Sequence, residues 1–285
     1  MRTQTEMMQD KMQRIAIQGE FGSNSHMATL AMLGQVDVVP CEVSADVVRA
    51  VLAGEVDAAV LPIENSLHGS VAEHYDLLLA NPLRLDRESS MRIVHNLIAA
   101  PGVQLAEIRT ILSHPVALSQ CRHFLAAQKG VRAASFYDTA GSVKHLMEQG
   151  LRDTAAVAPV LAAEVYGAEI LVPGIEDHRE NHTRFHLVRR AADAPSSDGE
   201  ANKATVAFSI EHKPGSLVSA LEGLASAGAD LTKIESRPVP GKPWEYVFHV
   251  DFRFASPAIA EAAIESLRRV SSMVKEMGRY RAASA

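Results

Sequence analysis

The chain has 285 residues, 47% of them apolar and 22% charged, with a formal net charge of -6, a balance that suits a folded chain of roughly two domains. That charge argues against a nucleic-acid partner, which needs a clustered basic face. No apolar run approaches the ~20 residues that span a bilayer. Residues 1–14 lack the apolar core and cleavage site of a secretory leader, so the expectation is a cytoplasmic chain with no membrane partner. Cys41 and Cys121 have no CxxC spacing and read as buried free thiols.

In chain order, the pattern predicts a strand at 15–18, a turn rich in Gly and Ser at 19–25 and a helix to residue 33. A strand at 36–41, a helix at 44–53 capped by Ser44, a buried strand at 58–63, a helix at 70–80 and a strand at 92–99 follow. The next series is strand 110–112, helix 115–128 opened by Pro115, strand 131–136, helix 139–149, strand 155–158, helix 160–166 and strand 168–171. Strands alternating with helices imply a mostly parallel sheet covered on both faces. The division near 99–103 suggests two lobes, with a strand around 184–188 returning to the first. A crevice between such lobes gathers loops and helix N-termini, where ligands bind.

Residues 190–203 are polar, small and broken by Pro and Gly, and read as a linker. Beyond them come strand 204–211, helix 215–227, strands 231–237 and 245–253, helix 257–270 and strand 274–280. That βαββαβ order is the ferredoxin-like unit. The expected fold class is α/β: a two-lobed, periplasmic-binding-like domain at 15–190 and a ferredoxin-like βαββαβ domain at 204–281.

Four junctions place small polar residues where a strand gives way to a helix: Gly22-Ser23-Asn24-Ser25, Glu64-Asn65-Ser66, Ser113-His114-Pro115 and Asp138-Thr139-Ala140-Gly141. Each reads singly as a helix cap. Helix N-termini also present free N–H groups to anions, and four of them with Arg184 make an oxyanion or carboxylate pocket plausible. The run Glu180-Asn181-His182-Thr183-Arg184-Phe185 adds an amide, a hydroxyl and a guanidinium. His178, His182 and His186 recur every four residues, but the strand-like pattern around them favours loop histidines over a metal site. No P-loop or GxGxxG opens a helix and no GxSxG elbow is present, so no cofactor is expected. In the second domain, Lys213-Pro214-Gly215-Ser216-Leu217-Val218 and Glu235-Ser236-Arg237-Pro238 read as a turn and a strand end, with N–H groups near Gly215 open to a carboxylate.

These segments resemble the prephenate dehydratase family with a C-terminal ACT domain. The likeness is carried by Gly19-Glu20-Phe21-Gly22-Ser23-Asn24-Ser25, by Leu61-Pro62-Ile63-Glu64-Asn65-Ser66-Leu67-His68-Gly69-Ser70-Val71, by Ser113-His114-Pro115 with Gln120-Cys121, by Asp138-Thr139-Ala140 and by Asn181-His182-Thr183-Arg184-Phe185. The two C-terminal segments quoted above carry it on, and coverage runs from about Ile15 to Tyr280. Val116 stands where the family often has Gln, and Ser216 where it often has Ala. The resemblance implies conversion of prephenate to phenylpyruvate with loss of water and carbon dioxide. It implies Thr183 as the catalytic hydroxyl, Arg184 as the holder of a substrate carboxylate and Phe185 as a shaper of the ring's surroundings. It implies substrate binding by Ser23, Asn65, Ser66, Ser113, His114, Thr139 and Asn181, without a metal. It further implies L-phenylalanine as effector at Gly215, Ser216, Leu217, Val218, Glu235, Ser236, Arg237 and Pro238 of a homodimer or homotetramer. Arogenate dehydratase and a solute-binding or amino-acid-sensing protein are the rival readings.

Overall fold

The structure, a computed structural model, describes residues 12–194, 200–239 and 245–283. Most of the 1–14 stretch and the middle of the 190–203 linker therefore lie outside the described residues. The chain divides into two compact units. One contains the described residues of Met1–Val60, with Asn65–Leu67 and Met91–Thr183; the other contains Leu61–Glu64, His68–Ser90 and the described residues of Arg184–Ala285.

In the first unit, β1 (Arg14–Gln18) lies between β2 (Asp37–Cys41) and the N-terminal half of β3 (Ala58–Asn65). Both pairings are parallel, with Ile15 opposite Val38 and Ala58. α1 (Asn24–Leu33) and α2 (Ser44–Ala53) are the intervening helices. Ser44 is the first helical residue and Val43 the cap, without a side-chain bond, so the expected Ser44 cap lies one residue earlier and is apolar. Val47, Val48 and Val51 bury one stripe of α2.

The unit's second sheet has the order β10-β6-β9-β7-β8. Its strands are β6 (Asn96–Ala99), β7 (Thr110–Ser113), β8 (Arg132–Ser135), β9 (Thr154–Ala158) and β10 (Glu169–Val172). β7 runs parallel to both neighbours, whereas β6 is antiparallel to β9 and β10, so this sheet is evenly mixed where a mostly parallel one was expected. Every residue of β9 is buried, as a strand covered on two faces requires. Leu97, Ile98, Ile111 and Val157 from the strands pack with Val143 and Leu146 of α6 (Thr139–Glu148) and Ala162 of α7 (Val160–Tyr166). The single helix expected at 115–128 is two, α4 (Pro115–Ser119) and α5 (Arg122–Ala127). The break turns Gln120 inward. The carboxylate of Asp177 then caps the new N-terminus, accepting from the N–H groups of Arg122 and His123.

In the second unit, the C-terminal half of β3, then β11 (His182–Arg190), then β5 (Leu83–Arg92) lie side by side. β4 (Gly69–Ser70) pairs with β3 and is followed by α3 (Ala72–Ala80). The second sheet of the unit is fully antiparallel, in the order β13-β14-β12-β15. Its strands are β12 (Lys203–Ser209), β13 (Asp230–Pro238), β14 (Tyr246–Arg253) and β15 (Met273–Tyr280). With α8 (Ser216–Ser226) and α9 (Pro257–Val270) they complete the βαββαβ order. Alternation along the strands divides this sheet into two faces. Ala204, Val206, Phe208, Val250 and Phe252 meet Ala220 and Leu224 of α8 and Ala263, Ile264 and Leu267 of α9. Lys203, Thr205, His249 and Asp251 fall on the opposite face and are also buried. Among the described residues no helix is long and apolar enough to cross a membrane.

Candidate active site

β3 ends at Asn65 and β11 begins at His182, and the two ends are tied together inside the first unit. The Ser66 N–H donates to the His182 carbonyl at 2.8 Å. Ser66 Oγ accepts from the His182 N–H at 2.9 Å and donates to the Glu180 carbonyl at 3.0 Å. Ser66, expected as a substrate donor, is thus the fastener of this junction. No helix starts there: a turn and β4 intervene before Ala72.

Asn65 is the hub. Its Nδ2 donates to Thr183 Oγ1 at 2.9 Å and to Asn181 Oδ1 at 2.7 Å, and its Oδ1 accepts the Leu67 N–H at 3.0 Å. A hydroxyl that accepts from an amide still has its own proton to give. Among the described residues Thr183, 8% exposed, has no acceptor for that proton. Asn181, fully buried, donates through Nδ2 to Gln120 Oε1 at 3.0 Å, and His95 Nε2 lies 2.7 Å from the same oxygen. The cluster holds amides, a hydroxyl and an imidazole that burial keeps neutral by lowering its pKa. It can donate hydrogen bonds to an anion or a leaving oxygen; it holds no charged acid or base.

Sequence reasoning joined Asn65, Asn181 and Thr183 to the site and missed His95 and the role of Gln120. The signal was there: His95-Asn96 interrupts the apolar run Ile93-Val94 and Leu97-Ile98, and polar residues inside buried runs need partners.

The remaining nominated groups in this unit are spread out. Ser23 caps α1, its Oγ accepting from the His26 N–H at 3.3 Å. Ser113 corrects the expectation of an open donor: it is fully buried and its Oγ donates to the Val157 carbonyl at 2.6 Å. The His114 ring accepts from the Val116 N–H as the cap of α4. Thr139 opens α6, but the capping bond there is made by Asp138, which accepts from the Gly141 N–H at 2.7 Å.

Glu20 reaches Tyr137 Oη at 2.8 Å and Lys144 Nζ at 3.1 Å. Gly19 lies so close to Asp138 that a Cβ would meet Oδ2 at 2.6 Å. A cavity of about 260 Å³ opens beside them, lined by Gly19, Glu20, Pro40, Cys41, Glu42 and Tyr137; none of its lining belongs to the Asn65 cluster. Cys41 is half-buried rather than buried, whereas Cys121 is buried and its thiol is pushed up to about 12 by burial.

In the second unit, Phe185 is core, 1% exposed. Arg184, next to Thr183 but on the other face of β11, is held by three carboxylates: Glu64 at 2.8 Å, Glu88 at 3.1 Å and Asp251 in a short contact. Lys203 also pairs with Glu88, at 2.6 Å. Burial alone would raise Glu88 and Asp251, but the surrounding cations outweigh it and hold both below the usual carboxylate range. A guanidinium expected to await a substrate carboxylate is already neutralised by the chain's own acids. Of the histidine series, His182 and His186 lie in β11 rather than on a helix.

Of the C-terminal segments, Gly215 takes a left-handed φ of 86° as the cap of α8, a conformation that favours glycine. Ser216, Leu217 and Val218 form its first turn. Ser209 and Arg237 both register against Val247, so the two segments leave the sheet at one end. Glu235 accepts from Ser70 at 2.9 Å, Arg237 pairs with Asp76 at 2.8 Å, and Ser236 and Pro238 are exposed.

The prephenate dehydratase family model matches residues 15–193. The chain is 38% identical over 277 residues to arogenate dehydratase/prephenate dehydratase 2, chloroplastic, of Arabidopsis thaliana, covering 94% of this chain and 72% of that protein. It is 37% identical to arogenate dehydratase 2 of Petunia hybrida, covering 94% and 71%. Among solved structures, the prephenate dehydratase of Arthrobacter aurescens in complex with L-Phe superposes with a TM-score of 0.84 at 32% identity, covering 94% of this chain and 90% of that one. A structure described as GqqA, a novel type of quorum quenching acylase, gives 0.85 at 34%, covering 94% and 98%.

Proposed function

The chain belongs to the prephenate dehydratase family, and from that premise we propose that it converts prephenate to phenylpyruvate in phenylalanine biosynthesis. In this reaction the ring carbon–carboxylate bond breaks and releases carbon dioxide. Its electron pair enters the ring, and the ring hydroxyl departs with a proton as water. The forming aromatic ring supplies the driving force, so the protein's task is to help the hydroxyl leave.

The observation that carries the reading is the sense of the Asn65 to Thr183 hydrogen bond. It commits a Thr183 lone pair and leaves the Oγ1 proton for the departing oxygen. A threonine hydroxyl has no pKa near neutrality, so Thr183 acts as a positioned donor or relay. Its contribution is on the order of the ~10² to 10⁴-fold typical of acid catalysis. Asn181 and Ser66 hold the geometry, and neutral donors near Ser23, His114 and Thr139 receive the dianion. Arg184, neutralised by acids, and the buried Phe185 act as positioning residues for the strand that carries Thr183.

The same proposal assigns 15–190 to catalysis and 204–281 to an ACT regulatory domain. L-phenylalanine would bind at 215–218 and 235–238 of a homodimer or homotetramer. Support comes from the L-Phe complex of the Arthrobacter aurescens relative and from the two segments leaving one end of the sheet. Coupling of about 1 to 3 kcal/mol is the usual size of such an effect.

Arogenate is the second substrate to weigh, because the curated relatives quoted are named for it. Purified protein supplied with prephenate and with arogenate in parallel decides between them: phenylpyruvate from the first is expected, and phenylalanine from the second alone would reassign the substrate. A protein that left both acids intact and cleaved an acyl amide would overturn the dehydratase reading. Titration calorimetry with L-phenylalanine tests the regulatory half, which no heat of binding would remove.

A further inference from the structure

We propose that Lys233 is a positioning residue that links the strand of the expected effector segment to the Asn65–Thr183 pair, acting through Glu64; the inference rests on the readings of Thr183 and of L-phenylalanine given above. Glu64 immediately precedes Asn65 in β3, and Arg184 immediately follows Thr183 in β11. Consecutive residues of a strand face opposite ways. The Glu64–Arg184 ion pair at 2.8 Å and the Asn65–Thr183 hydrogen bond at 2.9 Å therefore clamp the same two strands from opposite faces. Glu64 turns Oε2 to the guanidinium and Oε1 to Lys233 Nζ, 2.8 Å away.

Lys233 reaches this position because β13 is bulged. Leu231 registers against Phe252 and Lys233 against Asp251, so Thr232 is an extra residue. An unbroken register would set Lys233 opposite Val250, on the apolar face covered by α8 and α9. After the bulge, Lys233, Glu235 and Arg237 share the polar face at alternate positions, and each is engaged. Lys233 Nζ also donates to Ser70 Oγ at 2.7 Å and stands 5.4 Å over the Tyr75 ring. Ser70 in turn donates to Glu235 at 2.9 Å, and Arg237 pairs with Asp76 at 2.8 Å. The Lys233 side chain is only 10% exposed, and a buried ammonium needs such partners.

The intervening residues look the other way. Ile234 registers against Val250 and Ser236 against Phe248, on the face that packs with α8. Ser216, Leu217 and Val218 open that helix. A ligand held between this turn and Ser236 meets one side of β13, while Lys233 grips Glu64 from the other. β13 is the edge of its sheet, joined to β14 alone, so it can shift without breaking the pairings of the other three strands. L-Phenylalanine bound there displaces β13 and draws Lys233 off Glu64, which loosens the end of β3 that carries Asn65. Arg184 keeps its hold on Glu64, so the change is one of position and leaves the fold intact.

The test is Lys233→Met in the full chain, which keeps most of the stem and removes the ammonium. Its kcat without effector is expected to fall to that of the native protein saturated with L-phenylalanine, about 5- to 150-fold lower, with KM nearly unchanged. Added L-phenylalanine should then alter its rate less than about 2-fold, well short of ordinary coupling, while titration calorimetry still shows binding. A variant with the native kcat, with the native response, or without L-phenylalanine binding overturns the proposal. Should the variant not fold, a crystal structure of the native protein with L-phenylalanine decides: Lys233 Nζ out of ion-pair reach of Glu64 is expected, and an intact pair overturns the proposal. Native protein that dehydrates neither acid refutes the catalytic reading, and active protein indifferent to L-phenylalanine refutes the regulatory one; the inference falls with either. Native protein that responds to L-phenylalanine, beside a Lys233→Met variant that responds equally, refutes the inference alone.

Discussion

Asn65 donates to Thr183 Oγ1 over 2.9 Å while its own Oδ1 accepts the Leu67 N–H over 3.0 Å. The hydroxyl is thereby oriented by a group whose sense the main chain fixes. Thr183→Ala should cut kcat for the dehydratase reaction by roughly 10² to 10⁴-fold. Thr183→Ser should retain most of the rate. Asn65→Asp, which replaces the donor by an acceptor and adds a charge repelling the dianion, should fall at least as far as Thr183→Ala. Steady-state assays of the three variants check the order, and an Asn65→Asp enzyme of native rate would refute it.

Arg184, Glu64, Glu88, Asp251 and Lys203 form one ionic group, buried except at Glu64, and removing a single member weakens the compensation of its partners' charges. Asp251→Asn should cost about 3 kcal/mol, the low end for a broken buried pair, because Glu64 and Glu88 still face Arg184. Denaturant unfolding measures it. The acid side follows from the same group. Glu88 and Asp251 hold their protons less tightly when folded than at their ordinary values of 4.5 and 3.8. Their stabilisation is therefore complete above about pH 4.5 and is lost as pH falls through the lower folded values. Asp251→Asn should lose less stability than the native chain over that range.

His186 and His249 are each pushed down by burial from 6.5 to about 4. The unfolded chain takes up these protons first, so stability present above pH 6.5 declines as pH drops toward 4, by roughly 1.4 kcal/mol per pH unit for each ring. Among the described residues neither ring nitrogen of His249 has a hydrogen-bond partner, and the ring meets Tyr75 edge-on at 4.8 Å. His249→Phe keeps that contact and removes the titration. The variant should be at least as stable as the native chain at pH 7 and should show a smaller loss between pH 7 and 5 in denaturant midpoints.

Lys275 Nζ donates to the carbonyls of Leu78, Leu79 and Asn81 at 2.6 to 2.9 Å. It places a cation on the C-terminus of α3, where the last carbonyls carry partial negative charge. Lys275→Met keeps most of the stem and strands these acceptors. A loss of about 1.5 to 3 kcal/mol is expected, as for hydrogen bonds to charged groups, read as a lowered melting temperature.

Local pattern made much of the fold legible. The bounds of α7 and α9 stand where capping and periodicity put them, because Pro257 opens one helix and Gly167 closes the other. β5 was invisible: Arg84, Asp86, Glu88 and Arg92 give it the look of an exposed segment, and only partners distant in sequence, Arg189 and Lys203 among them, explain its burial. The break at Gln120 was missed for a related reason. Helical periodicity runs through it unbroken, and the groups that draw the side chain inward, His95 and Asn181, lie 25 and 61 residues away. The hydroxyl and its amide hub were legible as motif residues. The three acids around Arg184 were not, since ion pairing between remote residues leaves no local trace.

Thr183 and Arg184 are consecutive in β11 and so face opposite ways. Sliding that strand by one position would put a guanidinium among the amides and a hydroxyl among the carboxylates. The acids gripping Arg184 thus serve as a ratchet pawl, and an insertion or deletion between Asn181 and Phe185 would set that grip against the hydrogen bond between Asn65 and Thr183.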